Sequence, residues 1–228
     1  MNFGIVVFPG TWSDRDCDFA LKSIDGINTS YLWHKETNVK GIDAIVLPGG
    51  FSHGDYLRAG AIASHSPIMK EIVSLSKKGM PVIGICNGFQ ILCESGLLPG
   101  ALIRNKSLKF KCCDVHLKTN LTTNFSKKIK KDSIIKIPIS HGEGNYQASN
   151  EDLDSLKNND QILFTYCSKD GDQGAQNNPN GSALNIAGIT NIQGNVLGMM
   201  PHPERSSSLE LGSEDGNLIF ESMFNSFS

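Results

Sequence analysis

Three short, mainly apolar runs, each closed by glycine or proline, constrain the first third of the chain most tightly. Residues 3–8 (FGIVVF) end at Pro9-Gly10, residues 42–47 (IDAIVL) at Pro48-Gly49-Gly50, and residues 81–85 (PVIGI) run into Cys86-Asn87-Gly88. Runs this short and this apolar suit strands covered on both faces, as in a parallel sheet. Between them, Cys17, Ala20, Leu21 and Ile24 recur at i, i+3, i+4 and i+7, which predicts a helix that Gly26 stops. Residues 29–33 (TSYLW) read as another strand. Ser66-Pro67 opens a second helix with Ile68, Ile72 and Leu75 on its buried face and Gly79 at its end. Strands alternating with helices specify an open α/β sheet.

The second half changes character. Leu108, Phe110 and Cys112 alternate with polar residues, the period of a half-exposed antiparallel strand. Further strands are expected at residues 134–139, 162–166, 183–189 and 196–200, and a last helix at 218–224. Residues 145–160 and 168–181, rich in Asn, Asp and Gly, read as surface loops. With no repeat, linker or composition break, residues 1–228 are expected to form a single domain. Its fold class is α/β, an open, mostly parallel sheet flanked by helices, with additional antiparallel strands in the second half.

Composition narrows the function classes. The 21 Lys and Arg against 23 Asp and Glu give a net charge of −2, which argues against bulk electrostatic binding to nucleic acid. No apolar run approaches the ~20 residues of a membrane span. The opening MNFGIVVF lacks a charged leader and a cleavage site, so no secretory signal is expected. Six scattered cysteines without C-x-x-C spacing fit reduced thiols and a cytoplasmic location. Cys112, Cys113 and His116 match no familiar zinc spacing, and no metal is expected there.

Three segments could carry chemistry. Gly84-Ile85-Cys86-Asn87-Gly88 lies where a buried strand turns into a helix, the cysteine counterpart of the nucleophile elbow. The helix N-terminus would favour a thiolate and offer N–H donors to an oxyanion. The plain alternative is a cysteine packed under a turn. Met200-Pro201-His202-Pro203-Glu204-Arg205 supplies a base and, two residues on, a carboxylate that could orient it; alone, it reads more readily as an exposed turn with a solvated Glu-Arg pair. Pro48-Gly49-Gly50-Phe51-Ser52-His53-Gly54-Asp55 could bring backbone N–H groups to an anion, or simply form a tight turn. It lacks the lysine of a phosphate loop. Together the three supply nucleophile, base and oxyanion donors for acyl transfer.

The segments GICNGFQIL (84–92), LPGGFSHGDYLRAGAIA (47–63), PISHGEGNY (138–146), NPNGSALNIAGI (178–189) and MMPHPER (199–205) resemble class I glutamine amidotransferases. Within that class they resemble the glutaminase subunits that serve the conversion of phosphoribosylformylglycinamide to its amidine in purine biosynthesis. The resemblance covers nearly the whole chain. It implies Cys86 as nucleophile, His202 as acid-base and Glu204 as orienter. It further implies an oxyanion hole from the backbone N–H groups of Gly50 and Asn87. Gln90 and the Ser140-His141-Gly142 backbone would hold the amino-acid end of glutamine. Residues 145–173 carry little of the pattern.

The implied reaction is hydrolysis of glutamine through a cysteine thioester to glutamate and ammonia, with no cofactor in this chain. The resemblance also implies a separate synthetase subunit of the PurL type, using ATP and Mg, and a small accessory subunit of the PurS type. The basic run Lys127, Lys128, Lys130, Lys131 is either a docking surface or a solvated face. Trp12 and Phe51 are candidates for an interface or a lid, or for plain packing. Other open readings are a glutaminase serving a different synthetase, a cysteine peptidase on the same elbow, and an inactive scaffolding subunit.

Overall fold

A computed structural model describes residues 1–228. Its first half contains β1 (Asn2–Val7), α1 (Asp14–Lys22), β2 (Asn28–Trp33), β3 (Ala44–Leu47), α2 (Ala61–Ser64), α3 (Pro67–Ser76), β4 (Val82–Ile85) and α4 (Asn87–Glu94). The second half contains β5 (Ala101–Ile103), β6 (Lys111–Thr119), β7 (Ile134–His141), β8 (Asn145–Gln147), α5 (Asn150–Asn158), β9 (Ile162–Cys167), β10 (Ile186–Thr190), β11 (Val196–Met199) and α6 (Asn217–Phe227). Nine strands form one sheet in the order β2-β1-β3-β4-β11-β10-β9-β6-β7, and β5 pairs with β8 separately.

The sheet is parallel from β2 to β11 and antiparallel from β11 to β7. Burial explains the division. Every residue of β3 and β4 is buried, as strands between two helical layers must be. In β7 burial alternates, with Ile135, Ile137, Ile139 and His141 inward, the period of a strand with one wetter face. A single apolar cluster of 48 buried residues draws side chains from both halves. No helix is long and apolar enough to cross a membrane.

Strand β11, late in the chain, inserts beside β4 in parallel register, with Ile85 opposite Met199. Segments leaving these two strands therefore emerge side by side at the carboxyl end of the sheet, where open α/β sheets place their sites.

Four sequence expectations are corrected. Residues 145–160 are not a loop: they hold β8 and α5. Ser149 caps helix α5, its hydroxyl accepting the Asp152 N–H at 3.0 Å, but only Leu156 is fully buried, too few apolar positions to show a helical period. Leu108 and Phe110 precede β6 and are exposed, Leu108 in left-handed backbone; inward alternation starts only at Val115. Residues 183–185 form a 3-10 turn with Leu184 left-handed, so β10 begins at Ile186. Ser66 does precede α3, but its hydroxyl lies 3.3 Å from His34 Nδ1 instead of capping the helix.

Candidate active site

The elbow forms as its glycines require. A Cβ on Gly88 would lie 1.9 Å from the Leu47 carbonyl oxygen, so only glycine lets α4 begin this close to β3. Between strand and helix, Cys86 has φ 51° and ψ −104°, a region that L-residues rarely occupy. That backbone holds only where the surroundings over-determine it, and it marks functional turns. Here Cys86 N–H donates to the Met199 carbonyl at 2.8 Å, locking the elbow to β11. Cys86 is 5% exposed, and Sγ lies 3.6 Å from the Ser140 carbonyl oxygen. The N–H groups of Asn87 and Gly88, the first two of α4, have no carbonyl partner, whereas Phe89 N–H already donates to the Cys86 carbonyl at 3.0 Å.

Just past β11, prolines flank His202, and its N–H donates to the Pro138 carbonyl at 2.8 Å. Glu204 sits in a 3-10 turn, Pro203–Arg205, which brings its carboxylate back to the ring. His202 Nδ1 lies 2.6 Å from Glu204 Oε1, with the two side chains 3% and 0% exposed. A carboxylate only accepts, so Nδ1 carries the proton and Nε2 is left to face the thiol. Nε2 has no conventional partner within the chain. Burial disfavours the imidazolium, but the Glu204 carboxylate and the Cys86 sulfur outweigh it and raise the His202 pKa to about 10. A Cβ on Gly49 would lie 2.6 Å from His202 Cε1, so the first glycine of the Gly49-Gly50 pair admits the ring. Arg205 anchors the turn to α1, donating to Ser13 Oγ at 2.9 Å and Asp16 Oδ2 at 3.3 Å.

Cys86 opens onto a cavity of about 250 Å³. Gly50, Gln90, Ser140, His141 and Gly142, all expected from sequence, share its wall. Gly50, with φ 149°, donates its N–H to no group of the chain. The Asn87 side chain lies behind the wall, accepting the Ser52 N–H at 3.2 Å and donating to Gln90 Oε1 at 2.8 Å. Gln90 in turn donates to the Glu143 carbonyl at 2.7 Å. These bonds tie the glycine loop, α4 and the turn after β7 into one frame. Burial and the neighbouring His202 lower the His141 pKa to about 4, so this imidazole is neutral.

Four charged residues not expected from sequence line the same wall: Asp55, Arg104, Lys109 and Glu143. Asp55 and Glu143 lie within the family-like segments LPGGFSHGDYLRAGAIA and PISHGEGNY, which are the available signal; Arg104 and Lys109 sit in an irregular stretch with none. Burial, and then Glu143, push the Asp55 carboxyl up to about 6. A second cavity, about 240 Å³, adjoins His202 and Arg205 and is bordered by Trp12, Phe51 and Phe110, all exposed. Lys127, Lys128, Lys130 and Lys131 lie in the β6–β7 connection, at the opposite end of those strands from Ser140, and touch neither cavity. Cys112 and Cys113 are exposed on β6, and none of the six cysteines is paired.

A buried carboxylate–imidazole pair next to a cysteine at a helix N-terminus is an arrangement for nucleophilic acyl transfer. The CobB/CobQ-like glutamine amidotransferase domain matches residues 1–214. The phosphoribosylformylglycinamidine synthase subunit PurQ of Chlorobium chlorochromatii is 55% identical over 227 residues, 99% of this chain and 97% of the relative. Its namesake from Moorella thermoacetica is 53% identical, covering 98% of this chain and 95% of the relative. Among solved structures, PurLQS from Thermotoga maritima superposes with a TM-score of 0.87 at 40% identity, covering 98% of this chain and 97% of that one. A glutamine amidotransferase from the same organism, at 17% identity and a TM-score of 0.54, covers 99% of this chain and 90% of that one and shares the fold. On the family match and on these identities, the chain belongs to the glutamine amidotransferases, within the PurQ family.

Proposed function

We propose that this chain is the glutaminase subunit of phosphoribosylformylglycinamidine synthase. It works in the cytoplasm, supplying ammonia to a PurL-type synthetase with the help of a small PurS-type subunit. The observation that carries the chemistry is the buried Glu204–His202 pair beside Cys86, with Cys86 lining the first cavity and His202 the second. Cys86 thiolate attacks the side-chain amide carbon of glutamine, and the Gly50 and Asn87 N–H groups hold the resulting oxyanion. His202 delivers its proton to the departing nitrogen, and ammonia leaves with the C–N bond broken. The same imidazole then takes a proton from water, which attacks the thioester; the C–S bond breaks, glutamate departs and the thiol is restored. Gln90 and the Ser140-His141-Gly142 backbone hold the amino-acid end. ATP and Mg belong to the synthetase chain.

The high identity to PurQ subunits supports this assignment over a glutaminase serving another synthetase. The test is brief treatment with a glutamine-mimicking chloroketone followed by peptide mapping. Label is expected on Cys86 alone, in parallel with loss of ammonia release. Label on exposed Cys112 or Cys113, with Cys86 free, would refute the nucleophile.

A further inference from the structure

The thiol chemistry leaves the charged part of the cavity wall unused. Asp55 and Glu143 are its acids, Arg104 and Lys109 its bases. Arg104 Nε lies 3.6 Å from Glu143 Oε1, which gives Glu143 a counter-ion. Asp55 has none. Its Oδ1 is buried without a hydrogen-bond partner, and its only charged neighbour of influence is Glu143, of like sign. The chain holds it there through three successive left-handed residues, His53 (φ 53°), Gly54 (φ 71°) and Asp55 (φ 54°). A second open acceptor shares the wall. His141 is 3% exposed, and its Nδ1 lies 3.1 Å from Asn105 Oδ1, which also accepts the Gly144 N–H. Nδ1 therefore carries the ring proton, and Nε2 is a buried acceptor with no partner.

A half-buried acid without a counter-ion is disfavoured unless a cation arrives from outside. The end of glutamine remote from its reacting amide brings one, an ammonium with three N–H donors. We infer that Asp55, backed by Glu143, receives the α-ammonium of glutamine and makes the site selective for the free amino acid. Arg104 and Lys109 face the α-carboxylate. The assignment rests on the glutaminase reading above.

The test compares glutamine with glutaramate, which keeps the amide and the carboxylate but lacks the ammonium. Asp55→Asn suits it: asparagine tolerates left-handed backbone, and the carboxylate it replaces makes no hydrogen bond within the chain. In the complex assembled with PurL-type and PurS-type subunits, kcat/KM for glutamine is expected to fall about 30-fold, chiefly through KM, and that for glutaramate less than about threefold. Equal losses on both substrates, or no loss on glutamine, would overturn the assignment while leaving glutaminase activity intact. Failure of the wild-type complex to release ammonia from glutamine would overturn the glutaminase reading along with it.

Discussion

Ile85 and Met199 face each other across the parallel β4–β11 pair, and that one register brings the two parts of the site together. The residue after Ile85 is the cysteine of the elbow, and its N–H closes on the Met199 carbonyl at 2.8 Å. Three residues after Met199 comes His202. A shift of β11 by one residue would turn its side chains to the opposite faces and carry the imidazole away from the thiol.

The tightest constraint on this geometry is Gly88. Because a Cβ there would meet the Leu47 carbonyl, Gly88→Ala is expected to destabilise the chain by about 2–4 kcal/mol in denaturant unfolding. Gly96, with open space around it, is the control: Gly96→Ala meets only the strain of its left-handed backbone, and its loss is expected to be smaller.

His202→Ala is expected to lower kcat for glutamine by about 10³-fold, the range of a lost acid-base. Glu204→Gln keeps an acceptor for Nδ1–H but removes the charge, so a residual rate above that of His202→Ala is expected. Steady-state ammonia release checks both, and the reverse order would contradict the roles.

The pair also fixes a pH dependence. The folded-state pKa of His202 is raised, so its protonation stabilises the fold fully below the ordinary pKa of about 6.5. That contribution is lost as pH rises through about 10. The stability advantage of wild type over Glu204→Gln should therefore shrink between these limits in urea titrations; an advantage that grew with pH would contradict it.

Asp55 has the opposite sign. Its folded-state pKa lies above the ordinary carboxylate value, so ionisation weakens the fold, with no penalty below about pH 4 and the full penalty above about 6. Allowing for solvent screening at a half-exposed group, the penalty is of order 1 kcal/mol. Asp55→Asn is thus expected to raise the melting temperature of the free chain by about 2–4 °C at pH 7.5 and to leave it unchanged at pH 4.

Much of this was legible in the residues. The fully buried strands show as apolar runs because both faces are covered, and the elbow, the His202–Glu204 spacing and Gly50 lie in contiguous motifs. Helix α5 was not legible, since Leu156 alone is fully buried and the rest of its composition reads as loop. Nor was the role of Asp55. It depends on a left-handed turn that carries a carboxylate toward a wall built from residues 104–110 and 140–143, and no local spacing encodes that meeting.

The loop from Gly50 to Leu57 also bears on coupling. It carries an exposed Phe51 and left-handed His53, Asp55 and Leu57 beside a Gly50 N–H with no partner. Strained, exposed loops are the segments that partners rearrange. Titrating a PurL-type partner into the free chain is expected to raise kcat for glutamine hydrolysis, more so with nucleotide and acceptor present. A full rate in the free chain would rule out such gating.

In the proposed function Cys86 makes ammonia and takes no part in amidine formation. The direct measurement is amidine formation by a complex carrying Cys86→Ser, assayed with glutamine and, separately, with ammonium chloride at alkaline pH. Serine has no accessible anion for His202 to work with. The complex should be inactive with glutamine and active with ammonium. Loss of both activities in an assembled complex, or retention of the glutamine-dependent one, would contradict the assignment.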